Sequence, residues 1–310
     1  MTTEKERLGF IGLGVMGMPM AQHLAAAGHA MTVYDINPQA AHPLRKRFPG
    51  VDVVTSPRAV AAASDIVITM LPSGVEVRDC VFGAEGLIHG FRDGNLLLDT
   101  SSSEPEFTKE ISSGLAPAGV SVVDAPVSGA EAGAIAAELV FMVGGDGASV
   151  KRVKPLFDLL GRQSFHLGPV GSGHAMKSLN NLITAVTFLA TAEGLVIGKA
   201  YGLDPAMMND VLNESTGMSW ISRSHIGQRI LSRRFDDPFK LDLMVKDVNI
   251  AMRLAGELNL RLPLSTETLR LYRETQSKVA KGSSVSELVR ALEQNTGIEI
   301  KSPPREGGAG

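Results

Sequence analysis

Short apolar runs alternate with helical patterns along the first half of the chain. The runs have the length and composition of buried strands; they cover residues 8–11, 31–34, 51–54, 66–71, 96–99, 121–124, 139–143 and 164–166. The Ala-rich or mixed segments between them predict helices over residues 19–27, 58–63, 75–81, 104–115 and 149–160. Strand and helix in alternation predict crossover units and a mostly parallel sheet.

The pattern changes after residue 168, where a segment rich in glycine leads into a chain with helical patterns and no convincing strand. One long helix is predicted over residues 175–200, and its second half is apolar nearly all round, as expected of a helix buried between domains. Further helices are predicted over residues 205–214, 221–229, 241–259, 263–281 and 285–294. We therefore predict an α/β domain over residues 1–168, an all-α domain over 169–300 for substrate binding and dimerisation, and a disordered tail over 301–310.

A glycine-rich turn follows the first predicted strand and reads Gly12-Leu13-Gly14-Val15-Met16-Gly17. Gly12 permits a tight reversal, Gly14 lets a pyrophosphate approach the backbone, and Gly17 lets the next helix pack closely on the sheet. Asp35 ends the second predicted strand, where its carboxylate can bind the ribose hydroxyls of an adenosine and repel a 2′-phosphate. This context predicts a Rossmann-type, doubly wound domain that binds NAD, with NADP disfavoured by Asp35.

Composition narrows the class of protein. The chain has 310 residues, of which 44% are apolar and 20% charged, and its net charge of −3 provides no basic field for nucleic acid. Cys80 is the single cysteine, so no intrachain disulfide is possible and a reducing compartment is expected. The N-terminus lacks a signal-peptide pattern, and Glu193 interrupts the longest apolar stretch. We expect a cytoplasmic protein with a small-molecule substrate and no nucleic-acid or membrane partner.

A nicotinamide site needs a side chain that transfers the hydroxyl proton. The seven histidines form no recognisable pair or triad, and no Cys/His spacing predicts a metal site. Lys177 is the best candidate, because it lies near the start of the long helix, where the helix dipole disfavours a cation and eases its deprotonation. Asn181 is one turn further along and projects from the same face. An ordinary surface lysine is the alternative.

Further segments accompany the glycine turn in a fixed order along almost the whole chain. They are Met70-Leu71-Pro72, Asp99-Thr100-Ser101-Ser102, Asp124-Ala125-Pro126-Val127-Ser128-Gly129, Gly171-Ser172-Gly173 with Lys177, Asn180 and Asn181, and Lys246-Asp247. Together they resemble the motifs of the β-hydroxyacid dehydrogenase family, which includes 3-hydroxyisobutyrate dehydrogenase and tartronate semialdehyde reductase. The resemblance implies an NAD-dependent oxidoreductase that oxidises a small β-hydroxy acid or reduces the matching semialdehyde.

The resemblance also implies a role for individual residues. Lys177 is expected to act as general acid and base, Asn181 to hydrogen-bond the substrate, and Ser128 with the amide of Gly129 to bind the substrate carboxylate. The residues implied on the cofactor side, beyond the glycine turn and Asp35, are Leu71, Pro72, Ser102 and Lys246. A homodimer or homotetramer is a further expectation from the family.

Four residues depart from the family pattern and concern the substrate rather than the chemistry. Ala130 and Ala137 stand where glycine is usual, and an alanine at 130 disfavours a positive φ. Glu138 replaces a threonine and adds a negative charge, and Ser102 replaces another threonine. Alternative interpretations are an imine or sugar-acid reductase on the same scaffold, and a non-catalytic dinucleotide-binding module. The presence of Lys177 together with Asn181 favours the dehydrogenase.

Overall fold

The structure is a computed structural model that describes residues 5–302. The chain divides into two compact units, Met1–Lys177 and Ser178–Gly310. Most of the tail that we predicted to be disordered, residues 303–310, lies outside the described residues.

A mixed sheet forms the centre of the first unit. Within the described residues its strands are β1 (Leu8–Ile11), β2 (Met31–Tyr34), β3 (Asp52–Val53), β4 (Ile66–Thr69), β5 (Leu96–Asp99), β6 (Ser121–Asp124), β7 (Val127–Ser128), β8 (Leu139–Gly144) and β9 (Gly161–Gly168). The strands β3-β2-β1-β4-β5-β6 are parallel in that order. Strand β8 is antiparallel to β6 and β7, and β9 is parallel to β8. The order reverses between β1 and β4, which creates a crevice at the carboxyl ends of these strands.

Helices cover both faces of this sheet. They are α1 (Gly17–Ala26), α2 (His42–Arg47), α3 (Pro57–Ala63), α4 (Gly74–Phe82), α5 (Pro105–Leu115), α6 (Ala130–Ala136) and α7 (Gly147–Leu160). Alternate residues of the strands enter two separate cores: Ile66 and Ile68 of β4 face one, and Val67 faces the other. Strands buried on both faces read as continuous apolar runs, which explains why the sequence predicts them well.

The second unit is helical in the part that the structure describes. The long helix α8 (Ser172–Tyr201) runs into it and is followed by α9 (Pro205–Asn213), a π-helix (Ile221–Leu231), α10 (Leu241–Glu257), α11 (Pro263–Gln276) and α12 (Glu287–Thr296). In composition and length α8 would suffice to cross a membrane. One face of α8, which includes Leu182, Ala185, Phe188 and Leu195, instead packs into the core of the unit. The predicted fold class, a Rossmann-type sheet followed by a long helix and an all-α region, is confirmed.

Some elements differ from the prediction. Strand β3 is only two residues long, and β7, α2 and α6 were not predicted. Helix α2 buries one side chain, Leu44, and α6 buries only Gly133 and Ala134, so neither shows a hydrophobic period. Residues 221–231 form a π-helix rather than an α-helix, and their buried positions recur at four to five residues instead of three to four.

Candidate active site

The glycine-rich turn lies at the carboxyl end of β1, beside the point where strand order reverses. Gly12 has a φ of +95°, and a Cβ on it would lie 2.3 Å from the carbonyl oxygen of Met70. A Cβ on Gly17 would lie 1.9 Å from the carbonyl oxygen of Gly12. Gly14 differs, because a Cβ there would meet no atom within 4 Å. Two of the glycines are therefore required by packing, and Gly14 opens the backbone to an incoming group.

The start of α1 is open to an anion such as a pyrophosphate. Met16 precedes α1, and no side chain caps the helix there. The N–H of Met18 donates to the carbonyl oxygen of Gly14 (2.9 Å) and Pro19 has no N–H, so the positive end of the helix dipole is the main attraction for an anion. Leu13 in the turn is buried and Val15 is exposed. These features fit a bound dinucleotide at this turn.

Asp35 is held against the turn by the backbone. Its carboxylate accepts hydrogen bonds from the backbone N–H of Leu13 (2.7 Å) and of Asn37 (2.8 Å). The side chain is half-buried just after β2. A carboxylate with two lone-pair directions already used is fixed in orientation and can still accept from ribose hydroxyls.

The loops after β4 and β5 are tied to each other on the opposite side of the crevice. The N–H of Leu71 donates to the hydroxyl oxygen of Ser101 (2.9 Å), and the hydroxyl of Thr69 donates to Asp99 (2.9 Å). Pro72 is exposed and Ser102 is half-buried in these loops. Leu71, Pro72 and Ser102 thus lie in two neighbouring loops that follow β4 and β5.

The predicted carboxylate-binding loop leads from β7 into α6. Ser128 pairs with Val140 of β8, and Gly129 follows with a φ of +134°. Ala130 adopts a φ of +52°, so the alanine takes the left-handed conformation that its Cβ disfavours. Glu138 is exposed to solvent. The alanine at residue 130 therefore strains the loop.

Lys177 lies on the second turn of α8 and is half-buried. The carboxylate of Asp124, at the end of β6, accepts hydrogen bonds from the N–H groups of Gly171 (2.7 Å) and His174 (2.9 Å) at the start of this helix. This negative charge offsets the positive end of the helix dipole. The dipole argument that pointed to Lys177 in the sequence is therefore weakened.

In the second unit, a carboxylate links the predicted residues Asn181 and Lys246. The amide of Asn181 donates to Asp247 (2.5 Å) and accepts from Asn180 (3.1 Å), and the ammonium of Lys246 lies 3.5 Å from Asp247. Asn181 and Asp247 are both buried. Asp247 thus sets which way the Asn181 amide faces.

Sequence reasoning missed the histidines that matter structurally. His174 is buried next to Asp99 and Asp124, and its position three residues before Lys177 was the available signal. His225 binds Asp237 through Nδ1 (2.9 Å) and Ser286 through Nε2 (3.2 Å), which resembles a hydrolase triad. Ser286 is 0% exposed, so no substrate can reach its hydroxyl and the arrangement is structural.

Cys80 offers no nucleophile. Burial, and after it the charge of Asp99, raises the pKa of its thiol to about 12. The thiolate that would react is thus disfavoured at neutral pH.

Two family models match the chain in succession. Residues 7–168 match the NAD-binding domain of 6-phosphogluconate dehydrogenase. Residues 171–292 match the domain described as NAD-binding of NADP-dependent 3-hydroxyisobutyrate dehydrogenase.

Characterised relatives align over nearly their whole length. The 2-hydroxy-3-oxopropionate reductase of Escherichia coli is 38% identical over 93% of this chain and 97% of its own. The NAD-dependent L-serine dehydrogenase of Pseudomonas aeruginosa is 34% identical over 86% of this chain and 91% of its own.

A solved structure gives the same result. The 3-hydroxyisobutyrate dehydrogenase of Mycobacterium tuberculosis, determined with L-serine, superposes with a TM-score of 0.86 at 31% identity and covers 93% of this chain and 99% of its own. These matches confirm the resemblance seen in the motifs. The chain belongs to the 3-hydroxyisobutyrate dehydrogenase, or β-hydroxyacid dehydrogenase, family and is an NAD(P)-dependent oxidoreductase that acts on a CH–OH group.

Proposed function

We propose that this protein oxidises the primary alcohol of a small β-hydroxy acid with NAD, reduces the matching semialdehyde in reverse, and uses Lys177 as general acid and base. The observation that carries the proposal is the position of Lys177. It lies one turn beyond the start of α8, which Asp124 caps from the carboxyl end of β6, and ligands of such folds bind beyond the carboxyl ends of the strands.

The register of the sheet supports this placement. Thr69, Asp99 and Asp124 are paired in a row at the carboxyl ends of β4, β5 and β6. If the glycine turn held the pyrophosphate and Asp35 the adenosine ribose, the nicotinamide half would face the loops that follow β4 to β6. Residues 1–168 thus carry the cofactor, and we propose that residues 169–300 contribute substrate binding and dimerisation.

The chemistry divides between cofactor and protein. When bound, NAD supplies the hydride acceptor. As the C–H bond of the alcohol breaks, the amine of Lys177 takes the hydroxyl proton, and in the reduction its ammonium returns that proton to the carbonyl oxygen. Ser128 and the N–H of Gly129 bind the carboxylate, Asn181 binds the reacting oxygen, and Leu71, Pro72, Ser102 and Lys246 line the cofactor.

The substrates named for the relatives suggest a shared class. 2-Hydroxy-3-oxopropionate, L-serine and 3-hydroxyisobutyrate are propanoic acids with an oxygen on C3 and a small substituent on C2. We infer that this protein takes a 3-hydroxypropanoate with a small group at C2. A substrate panel, assayed by the increase in NADH absorbance, identifies which acid the protein oxidises. The panel contains 3-hydroxyisobutyrate, glycerate, 3-hydroxypropionate, threonate, serine and 4-hydroxybutyrate.

NAD is the proposed cofactor because Asp35 is fixed where a 2′-phosphate would lie. The next residue, Ile36, is apolar and 90% exposed, so it adds no positive charge for that phosphate. We expect a higher kcat/KM with NAD than with NADP in the same assay, and a preference for NADP would contradict the role of Asp35. The single cysteine fits a reducing compartment, and we propose a cytoplasmic location.

The decisive test replaces Lys177. We expect Lys177→Ala to lower kcat by roughly a hundredfold or more while NADH binding stays close to wild type, because the proton acceptor is lost and the dinucleotide turn is untouched. Lys151→Ala on α7 is the matched control, since Lys151 is an exposed lysine of the same unit. Near-native turnover in Lys177→Ala would refute the assignment.

A further inference from the structure

The start of α8 is anchored by a residue that lies far away in the sequence. Asp124 is 0% exposed, and its two carboxylate oxygens accept from the N–H groups of Gly171 and His174 at 2.7 and 2.9 Å. In most helices a side chain at the N-cap itself has this role. Here a shift of the helix would leave a buried carboxylate without partners, which is energetically unfavourable.

Close backbone contacts leave the helix start no room to move. A Cβ on Gly173 would lie 2.2 Å from the carbonyl oxygen of Met142 in β8. A Cβ on Gly144 would lie 2.5 Å from a carboxylate oxygen of Asp124 and 2.9 Å from the nitrogen of Gly173. The first turn of α8 therefore rests directly on the ends of β6 and β8.

The imidazole of His174 extends this anchor to two other elements. Its side chain is 0% exposed, and Nε2 donates to the carbonyl oxygen of Ser101 at 3.1 Å. Its Nδ1 shares a 2.7 Å hydrogen bond with the hydroxyl of Thr108 in α5. Carboxylate oxygens of Asp99 and Asp124 lie 3.7 and 3.8 Å from the ring nitrogens. Both ring nitrogens are thus used, and the orientation of the ring is determined.

Ser101 joins this network to the cofactor side of the site. Its hydroxyl oxygen accepts from the N–H of Leu71, and its carbonyl oxygen accepts from His174. Lys177 is three residues after His174, so the two side chains are neighbours on the surface of one helix. A rotation of α8 that moved Lys177 would have to break the bond between His174 and Ser101.

We propose that His174 is a positioning residue, which together with Asp124 sets the rotation and height of α8 and so aims Lys177 at the loops that line the nicotinamide half. The inference rests on the proposed function, because it assigns His174 a purpose only if Lys177 transfers the proton. The alternative is a buried histidine that only satisfies its own hydrogen bonds and fills space.

The two interpretations differ in what they predict for turnover per folded active site. We choose His174→Leu, which removes both hydrogen bonds, Thr108→Val, which removes one, and His174→Gln, whose amide can still donate to the Ser101 carbonyl. Ser64→Ala is the control, because Ser64 is equally buried in the first unit and its hydroxyl bonds only to the carbonyl oxygen of Val60 (2.8 Å).

Each variant is titrated with NADH to count binding sites, and is then assayed with the best substrate of the panel, unlabelled and deuterated at the oxidised carbon. We expect His174→Leu to lower kcat per site by about 10- to 100-fold, as displacement of a catalytic group by about 1 Å does. The KM for NAD should change little, and the deuterium isotope effect on kcat should rise as chemistry becomes rate-limiting. Thr108→Val should show a smaller loss, and Ser64→Ala none.

Rescue by the conservative variant separates positioning from packing. His174→Gln should recover kcat to within about threefold of wild type. The inference is overturned if kcat per site and the isotope effect stay at wild-type values in His174→Leu and Thr108→Val, or if His174→Gln is as impaired as His174→Leu. Should His174→Leu not fold, Thr108→Val and His174→Gln decide by the same criteria.

The proposed function is tested separately in the same series. If Lys177→Ala is inactive and the His174 variants are fully active, only the positioning role fails. If Lys177→Ala retains turnover, the proposed function itself fails.

Discussion

At the scale of single residues, the loop that we propose binds the substrate carboxylate has two alanines in a conformation that favours glycine. Ala130 has a φ of +52° at the start of α6, and Ala137 has a φ of +55° at its end. A left-handed conformation costs an L-residue about 1–2 kcal/mol. The family pattern led us to expect glycine at 130. The backbone there has the left-handed conformation that glycine favours, although alanine carries a Cβ.

We expect Ala130→Gly to stabilise the protein by about 0.5–1 kcal/mol, because relief of the strained φ exceeds the entropy that glycine adds to the unfolded chain. Ala137→Gly is the matched control, since it relieves a similar strain at the other end of the helix. Thermal unfolding should show a higher Tm for both variants. The KM for the hydroxy acid should change only in Ala130→Gly, beside Gly129. A lower Tm in Ala130→Gly would contradict this account.

At the scale of elements, the π-helix 221–231 is organised around one histidine. His225 is buried, bonds to Asp237 and Ser286, and packs edge-on against the ring of Phe188 with centroids 4.6 Å apart. These contacts join the π-helix to α8, to the segment before α10 and to the residue before α12. A buried polar group that is fully paired specifies one packing arrangement, which fits a π-helix where the sequence predicts an ordinary helix.

Asp237 makes this arrangement sensitive to acid. Burial raises the pKa of its carboxyl, but the hydrogen bond and charge of His225, the N–H of Phe239 and the charge of Arg229 outweigh it, so that the pKa is lowered. A carboxyl with a lowered pKa in the folded state stabilises the protein above its unfolded pKa of about 3.9. That stabilisation is lost as the pH falls through the folded value.

We therefore expect Asp237→Asn to be less stable than wild type at pH 7 and to approach it at low pH. Urea unfolding between about pH 6 and 3 gives the comparison, and the wild type should show the steeper fall in the free energy of unfolding below about pH 4. Asp158→Asn is the control, because Asp158 forms only an exposed pair with Lys154, which contributes little. If the free energy of unfolding changed with pH in parallel for wild type and Asp237→Asn, the pair of Asp237 with His225 would not contribute to stability.

At the scale of the whole molecule, α8 has a second apolar face. Ile183, Ile197 and Tyr201 are 61%, 70% and 85% exposed, and their spacing places them opposite the stripe buried in the second unit. Large apolar patches on a folded surface mark interaction sites. We propose that a second copy of this chain covers this face, consistent with the homodimer or homotetramer expected from the family.

We expect Ile197→Lys to shift the protein towards monomer, because a charge at the centre of an apolar interface cannot be desolvated without a partner. Light scattering coupled to gel filtration measures the mass. Leu264→Lys is the control, since Leu264 of α11 is 66% exposed but lies outside the α8 face. A wild-type protein that is monomeric at micromolar concentration would refute the proposal.

Much of the architecture could be predicted because its signals are local. The strands β1, β2, β5 and β6 have the predicted bounds, since each is a buried run between turn residues. The start of α9 is encoded locally, because the side chain of Asp204 caps the helix and Pro205 begins it. The short elements β7 and α6 lack such signals, because few of their side chains are buried.

The sequence by itself determined the dinucleotide turn, the parallel sheet, the helical second half and the lysine at the start of α8, because backbone conformation and hydrophobic period are encoded over a few neighbouring residues. Only the tertiary structure decided that Asp124 caps α8, that His174 bonds to Ser101 and Thr108, and that His225 joins Asp237 to Ser286. These partners are far apart in the chain. Their hydrogen bonds depend on how the elements pack, and local propensity carries no information about that.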